Sequence, residues 1–274
     1  VNYNGAVPVK AFFVLDNQNQ DNALNTSDSD AIEAGIQVSP KGDSWKASVF
    51  VVNQSKRNDF DEDVYLIGAN GSTSLGPVNL TGEVDFFTGD AFYDPITDDT
   101  IDAMGTQVFL DASMAATDAL TIGGQFYYAA GDDEDVQYTG LGNGFNGWDP
   151  IFDNGTQLSN EQMDLGDNLA CDVAGLCGGV FDWTGANAGV VGGRIYGNMK
   201  LGDATTLGAS VAYLTNEEDE FIDATGMFYS AGLVYQLMEN TTLQAQVQYT
   251  DAEYEDLLGI CGSDVDWHSF QAGT

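Results

Sequence analysis

Positive charge is scarce in this chain. Its 274 residues include 7 lysines and arginines against 43 aspartates and glutamates, for a formal net charge of −36. Nucleic-acid binding rests on basic side chains neutralising phosphates, so that class of function is excluded. Histidine is nearly absent as well. The single one, His268, is the only base available to a histidine-activated nucleophile, and it shares strand parity with Phe270 and Ala272 on an apolar side. No catalytic residue is assigned, and the chain is read as a non-enzyme with no required cofactor. Three cysteines, Cys171, Cys177 and Cys261, are too few for a disulfide scaffold. Cys171 and Cys177 enclose the short segment DVAGL, where an oxidising compartment would allow a local disulfide and leave Cys261 over. Zinc is the weaker reading, since one histidine and no C-x-x-C pair make a poor ligand set.

Long hydrophobic runs are missing too. Nothing approaches the roughly 20 consecutive apolar residues of a spanning helix, so membrane crossing by this sequence requires a closed barrel. A barrel carries its hydrophobicity in every second residue, so a mean hydropathy of −0.16 does not argue against one. Proline is rare at 5 residues, whereas glycine reaches 33, tyrosine 12 and phenylalanine 15. That balance favours strands and tight turns over helices.

What the sequence has instead is alternation, the signature of a strand with two unlike faces. In 31–38, Ile32, Ala34, Ile36 and Val38 oppose Glu33, Gly35 and Gln37. In 77–88, Val78, Leu80, Val84 and Phe86 oppose Asn79, Thr81, Glu83 and Asp85, and in 102–114 Met104, Val108, Leu110, Ala112 and Met114 oppose Gln107, Asp111 and Ser113. Phe109 is an exception on the polar side. In 190–201, Val191, Ile195, Met199 and Leu201 oppose Arg194, Tyr196, Asn198 and Lys200; in 242–250, Leu243, Ala245, Val247 and Tyr249 oppose Gln244, Gln246 and Gln248. Less regular runs at 7–15, 45–52, 63–73, 119–130, 206–214, 226–237 and 265–274 bring the set to about 12.

Connections separate a barrel from a sandwich. Short turn-like segments at 39–44, 74–77, 115–118, 202–205 and 238–241 carry the Gly, Pro, Asn and Asp chemistry of tight hairpins. They alternate with longer ones at about 16–30, 53–62, 89–101, 131–189, 215–225 and 251–264. Outer-membrane barrels have this asymmetry, with short periplasmic turns and long extracellular loops; a Greek-key sandwich would not keep it. The fold expected is therefore all-β: one antiparallel transmembrane β-barrel domain over 1–274, located in the bacterial outer membrane. The opening residues VNYNGAVPVKAFFVLD read as a strand already under way, as in a chain processed or trimmed at its start. The closing WHSFQAGT stops in mid-strand, so twelve strands is a lower bound.

Face assignment follows from solvation. A charge at mid-bilayer on the lipid side costs roughly 2–4 kcal/mol, so Glu33, Lys46, Glu83, Asp85, Asp111, Arg194 and Lys200 are expected to point inward. Tyr196, Gln244, Gln246 and Gln248 join them to line a polar pore. Trp45, Tyr65, Tyr127, Tyr128, Tyr213, Tyr235 and Tyr249 lie near strand ends, where aromatic girdles sit.

The acidity concentrates in the long connections. The stretch 131–188 holds eleven acidic residues and no lysine or arginine, and a connection of that length reads as a mouth-covering or lumen-folded loop. Within it, AAGDDEDVQYTGLGNGFNGWDPIF follows the strand ending at Tyr128, and an earlier strand ending at Phe87 is followed by TGDAFYDPI. Each has a Gly-Asp and then aromatic-Asp-Pro-Ile. The second segment resembles the strand-end "YxSGD … FDPLF" stretch of alginate-export-type outer-membrane porins, through Tyr128, Gly131, Asp132, Trp148, Asp149, Pro150, Ile151 and Phe152. The resemblance covers about 25 residues. It implies an export or uptake pore with Asp132, Asp133, Asp135, Trp148, Asp149 and Phe152 at the constriction or mouth. That family's pore looks arginine-lined, and here only Arg194, Lys46 and Lys200 could take that part.

The expected function is passive diffusion of small solutes, with loop carboxylates concentrating cations at the mouth. The other reading is a structural or adhesive surface barrel whose acidic loops bind Ca²⁺ or a partner. Asp90, Asp94, Asp98 and Asp99 crowd one loop and could serve such an ion, although they lack EF-hand spacing. The expected partners are outer-membrane lipid and small solutes or cations, with a homo-oligomer, a trimer, as the candidate assembly.

Overall fold

A computed structural model describes residues 2–3, 5, 7–18, 29–57, 62–94, 99–130, 136–137, 190–215, 223–238, 241–255 and 265–273 of the chain. Among these residues all regular structure is β, and no helix is long and apolar enough to cross a membrane. The strands are β1 (Asn2–Tyr3), β2 (Val9–Gln18), β3 (Ser29–Val38), β4 (Trp45–Arg57), β5 (Glu62–Leu75), β6 (Val78–Asp94) and β7 (Asp99–Ala115). They continue as β8 (Leu120–Ala129), β9 (Val136–Gln137), β10 (Val190–Lys200), β11 (Thr205–Thr215), β12 (Asp223–Met238), β13 (Thr241–Glu255) and β14 (Val265–Gly273).

Each long strand pairs antiparallel with its sequence neighbour, from β2 to β14, with β8 pairing directly to β10. This up-and-down order is the one the alternation of short and long connections predicts. Among the described residues the two ends of the path are not paired with each other.

The turns explain the order locally. Gly76 has a φ of 62° and precedes Pro77, whose ring fixes a negative φ; that sign pattern suits a two-residue hairpin whose twist matches the strands it joins. Between β7 and β8 the Thr117 hydroxyl accepts the backbone N–H groups of Ala119 and Leu120 at 3.2 and 3.0 Å, a side chain standing in for missing ladder bonds. Gly89 has a φ of 127° and lies so close to the Asp63 carbonyl that a Cβ would collide with it. A register shift between Asp90 and Phe92 follows at once, the local geometry of a bulge.

The structure shortens the long connections. β6 runs to Asp94 and β7 starts at Asp99, with Asp90 opposite Asp102 and Asp94 opposite Asp99. Three of the four carboxylates expected in a calcium loop thus stand in a hairpin ladder, while Asp98 lies outside the described residues. The ladder wins because each further pair satisfies backbone donors and acceptors that a loop leaves to water. β4 likewise extends to Arg57, against an expected end at 52. Within 131–188, β9 runs parallel to β7, with Val136 beside Ala103 and Met104 beside Gln137. The chain therefore doubles back after β8 instead of being wholly without strand structure there.

Register brings residues from distant segments into rows across the sheet. Lys46, Ser72, Thr81, Asp111, Gln125, Arg194, Ala212 and Phe228 form one row of successive cross-strand partners. Ser48, Asn70, Glu83, Phe109, Tyr127, Gly192 and Leu214 form the next, and Phe50, Gly68, Asp85 and Gln107 the one beyond. All these residues share one face of the sheet.

Candidate functional site

The two faces differ sharply in burial. Arg194 is 5% exposed and its neighbour Ile195 69%. On the exposed face lie Phe13, Leu15, Val49, Val51, Ile67, Phe86, Leu110, Phe126, Leu207 and Leu233; on the buried one lie Gln54, Glu83, Asp85, Gln107, Gln125 and Arg194. Apolar side chains outward and charges inward is the reverse of a water-soluble sheet and is the arrangement that a hydrocarbon surrounding requires.

The buried face is built from cross-strand pairs. Glycines make room for bulky partners directly opposite: Gly68 for Phe50, Gly123 for Tyr196, Gly35 for Phe12, and Gly192 for Leu214, each side chain lying where the glycine's Cβ would stand. Ring over glycine covers exposed backbone with apolar area, a pairing that also fixes register.

Around Arg194 a polar network forms. The Tyr196 hydroxyl donates to Asp111 Oδ2 at 2.9 Å and lies 3.2 Å from Oδ1. Arg194 Nη1 donates to Gln125 Oε1 at 3.4 Å, and the Tyr127 hydroxyl donates to the same oxygen. The guanidinium stands 5.7 Å from the centre of the Tyr196 ring, within cation–π range. One cation, one carboxylate and two phenols thus share a wall formed by β7, β8 and β10.

A second group lies on β3 to β7. A cavity of about 390 Å³ is lined there by Gln37, Lys46, Ser48, Asn70, Ser72, Thr81, Glu83 and Phe109, among others. Hydroxyls, amides, the ammonium groups of Lys41 and Lys46 and one carboxylate make it hydrophilic and of mixed charge. A larger, more open groove of about 940 Å³ runs past Leu80, Leu110, Phe126, Ile195 and Tyr213; these belong to the exposed face, over the small residues Gly82, Ala112, Gly124 and Gly193, and make that side of the groove mainly apolar.

The structure places Glu33, Lys46, Glu83, Asp85, Asp111, Arg194, Tyr196 and Lys200 on the parity of the buried face. It does not bring them together: Glu83 and Asp85 lie three strands from Arg194, and Lys46 and Lys200 are exposed near the short turns. Gln244, Gln246 and Gln248 alternate in β13 with the exposed Leu243, Val247 and Tyr249, and their side chains lie outside the described set. Asp132, Asp133, Asp135, Trp148, Asp149 and Phe152, together with Cys171 and Cys177, also lie outside the described residues. His268 stands opposite Asp251 in the ladder.

Two expectations need correction. Tyr127 does not belong to an aromatic girdle: it is 1% exposed, on the parity of Gln125, with its ring 5.5 Å from that of Phe109. Trp45, Tyr65, Tyr213, Tyr235 and Tyr249 are exposed as a girdle requires. Nor is the buried face simply polar. Phe50, Leu214 and Phe228 are buried within the charged rows, and Val52, Val64, Leu66 and Phe87 form an apolar layer on their long-connection side. The run 45–52 alternates weakly because it is apolar on both faces, and that was the available signal.

No protein-family model matches the chain, and no curated protein matches it. Among solved structures, the chain is similar to Pseudomonas aeruginosa OccK1 (OpdK), with a TM-score of 0.50 and 10% identity over 97% of this chain and 64% of that one. The same protein crystallised with vanillate gives a TM-score of 0.50, 10% identity and coverage of 97% and 63%. The chain thus spans a little under two thirds of the length of the protein it superposes on. A NanC porin superposes more loosely, with a TM-score of 0.37 at 12% identity. The fold of this chain is the all-β, antiparallel, up-and-down sheet of bacterial outer-membrane β-barrels.

Proposed function

We propose that the chain forms a passive channel for small solutes in the bacterial outer membrane, preferring cations. The observation that carries this reading is the segregation across each strand, seen most sharply at Arg194 and Ile195. Hydrocarbon outside and a hydrated lumen inside explain it together. Cation preference is supported by the overall charge of −36 and by Glu83, Asp85 and Asp111 on the inner face, since a low-dielectric wall focuses the field of fixed charges on permeating ions. The alginate-export resemblance supports the same channel class. Anionic polysaccharide is a poor fit, with one buried arginine on the described lumen face. Planar-bilayer recordings under a KCl gradient test the proposal: a reversal potential of cation-selective sign is expected, and an anion-selective sign would falsify it.

A second reading is favoured by the buried apolar side chains of Phe50, Val52, Leu66, Phe87 and Leu214. Such side chains fill a small lumen, as they do in narrow barrels that serve as anchors. A structural or adhesive barrel displaying acidic loops would fold with heat-modifiable gel migration and yet conduct no ions.

A further inference from the structure

We propose that Asp85, Gln107 and Glu83 form a calcium-binding site inside the sheet, separate from the acidic connections. Asp85 is 1% exposed and Gln107 3%. Among the described residues, no N–H or hydroxyl group donates to either carboxylate oxygen of Asp85 or to Oε1 of Gln107, all three of them buried, and the carboxyl group beside Asp85 is that of Glu83. The two residues are direct cross-strand partners on β6 and β7, so their Cβ atoms are about 5 Å apart and their side chains project to the same side. Glu83 lies two residues along β6 on that face and lines the 390 Å³ cavity. Buried oxygens without donors are costly, and a carboxylate costs more than an amide.

A bound cation removes that cost. Among the described residues the donor set is oxygen only, two carboxylates and a carboxamide, which selects a hard cation over a transition metal. A divalent ion between the two carboxyl groups would draw both into the charged form, two negative charges for one ion. Calcium takes six to eight oxygens in irregular geometry and completes its shell with water, which the cavity next to Glu83 supplies. Magnesium demands near-octahedral placement and gives up water reluctantly, so a buried, asymmetric oxygen set fits it worse. Gly68 is part of the design: it is the partner of Asp85 on β5, and a Cβ there would stand in the place of the carboxylate.

The site depends on the channel reading only for the route by which the ion enters. The full chain, folded in detergent, is titrated with CaCl₂ by calorimetry at roughly 0.15 M salt, where exposed charges are screened beyond about 8 Å. One saturable site is expected in the wild type. It should disappear in Asp85→Asn and weaken at least tenfold in Gln107→Leu, while Asp118→Asn, in an exposed turn, retains it. Heat-modifiable migration confirms folding of each variant; should Asp85→Asn not fold, the Gln107→Leu comparison decides. Unchanged calcium binding in the folded variants, or no saturable site in the wild type, overturns the inference, as does equal affinity for Mg²⁺. Bilayer conductance of the same preparation reads the channel separately: conduction without the site sinks only this inference, and the site without conduction sinks only the channel.

Discussion

Ile195 and its two neighbours carry opposite physical demands within three residues. Ile195 projects from the sheet, while Arg194 and Tyr196 turn to the other face, where the tyrosine hydroxyl meets Asp111 at 2.9 Å. If lipid covers the exposed face, Ile195→Arg in the folded chain should lower unfolding stability by about 2–4 kcal/mol in lipid vesicles. Denaturant titration in vesicles reads this; no change would mean that water, not hydrocarbon, contacts Ile195. On the inner side, Tyr196→Phe removes a hydrogen bond to a carboxylate, a loss of about 1.5–3 kcal/mol when the acceptor stays buried. The ring remains over Gly123, so the same titration should show a smaller effect for Tyr196→Phe than for Tyr196→Ala.

At the scale of strands and turns, glycine positions decide register. The Gly123 partner of Tyr196 and the Gly68 partner of Phe50 each leave a hole that one ring fills. Gly123→Leu places a side chain in the ring's own volume. Overpacking of a well-filled site costs about 1–3 kcal/mol, and the yield of heat-modifiable barrel on refolding should fall accordingly; an unaffected yield would show that the ring has another place to go. The β5–β6 hairpin depends on Gly76 at φ 62°. A β-branched residue there is strained, and Gly76→Val should slow refolding more than Gly202→Ala does, since the latter lies in a longer turn.

For the molecule as a whole, charge is placed asymmetrically. Among the described residues the buried charges are few, with Arg194 beside Asp111 on one wall and Glu83 and Asp85 on another, whereas most of the 43 acidic residues lie elsewhere. If selectivity arises mainly at the mouth, raising salt from roughly 0.1 to 1 M shortens the Debye length from about 10 to 3 Å and should reduce cation preference several-fold. Selectivity set by the buried carboxylates would instead persist at high salt. The ratio of permeabilities at the two salt concentrations separates these cases.

Twelve long strands, their order and the side taken by the described charged residues were legible in the sequence, because side-chain parity and turn chemistry are local properties of the backbone. The hairpins at Gly76-Pro77 and at Thr117 show this, as do the charges Glu83, Asp85, Asp111 and Arg194 on one face. What faces what was not legible. Parity assigns Tyr127 a side only if its neighbours alternate cleanly, and its place near a strand end suggested a girdle; the register of β7 against β8 set it beside Phe109 instead. The apolar inner layer, the pairing of Asp85 with Gln107 and the extension of β6 and β7 past Asp90 all depend on which strands lie side by side and at what offset. Cross-strand hydrogen bonding fixes that between residues far apart in the chain, so only the tertiary structure could decide it.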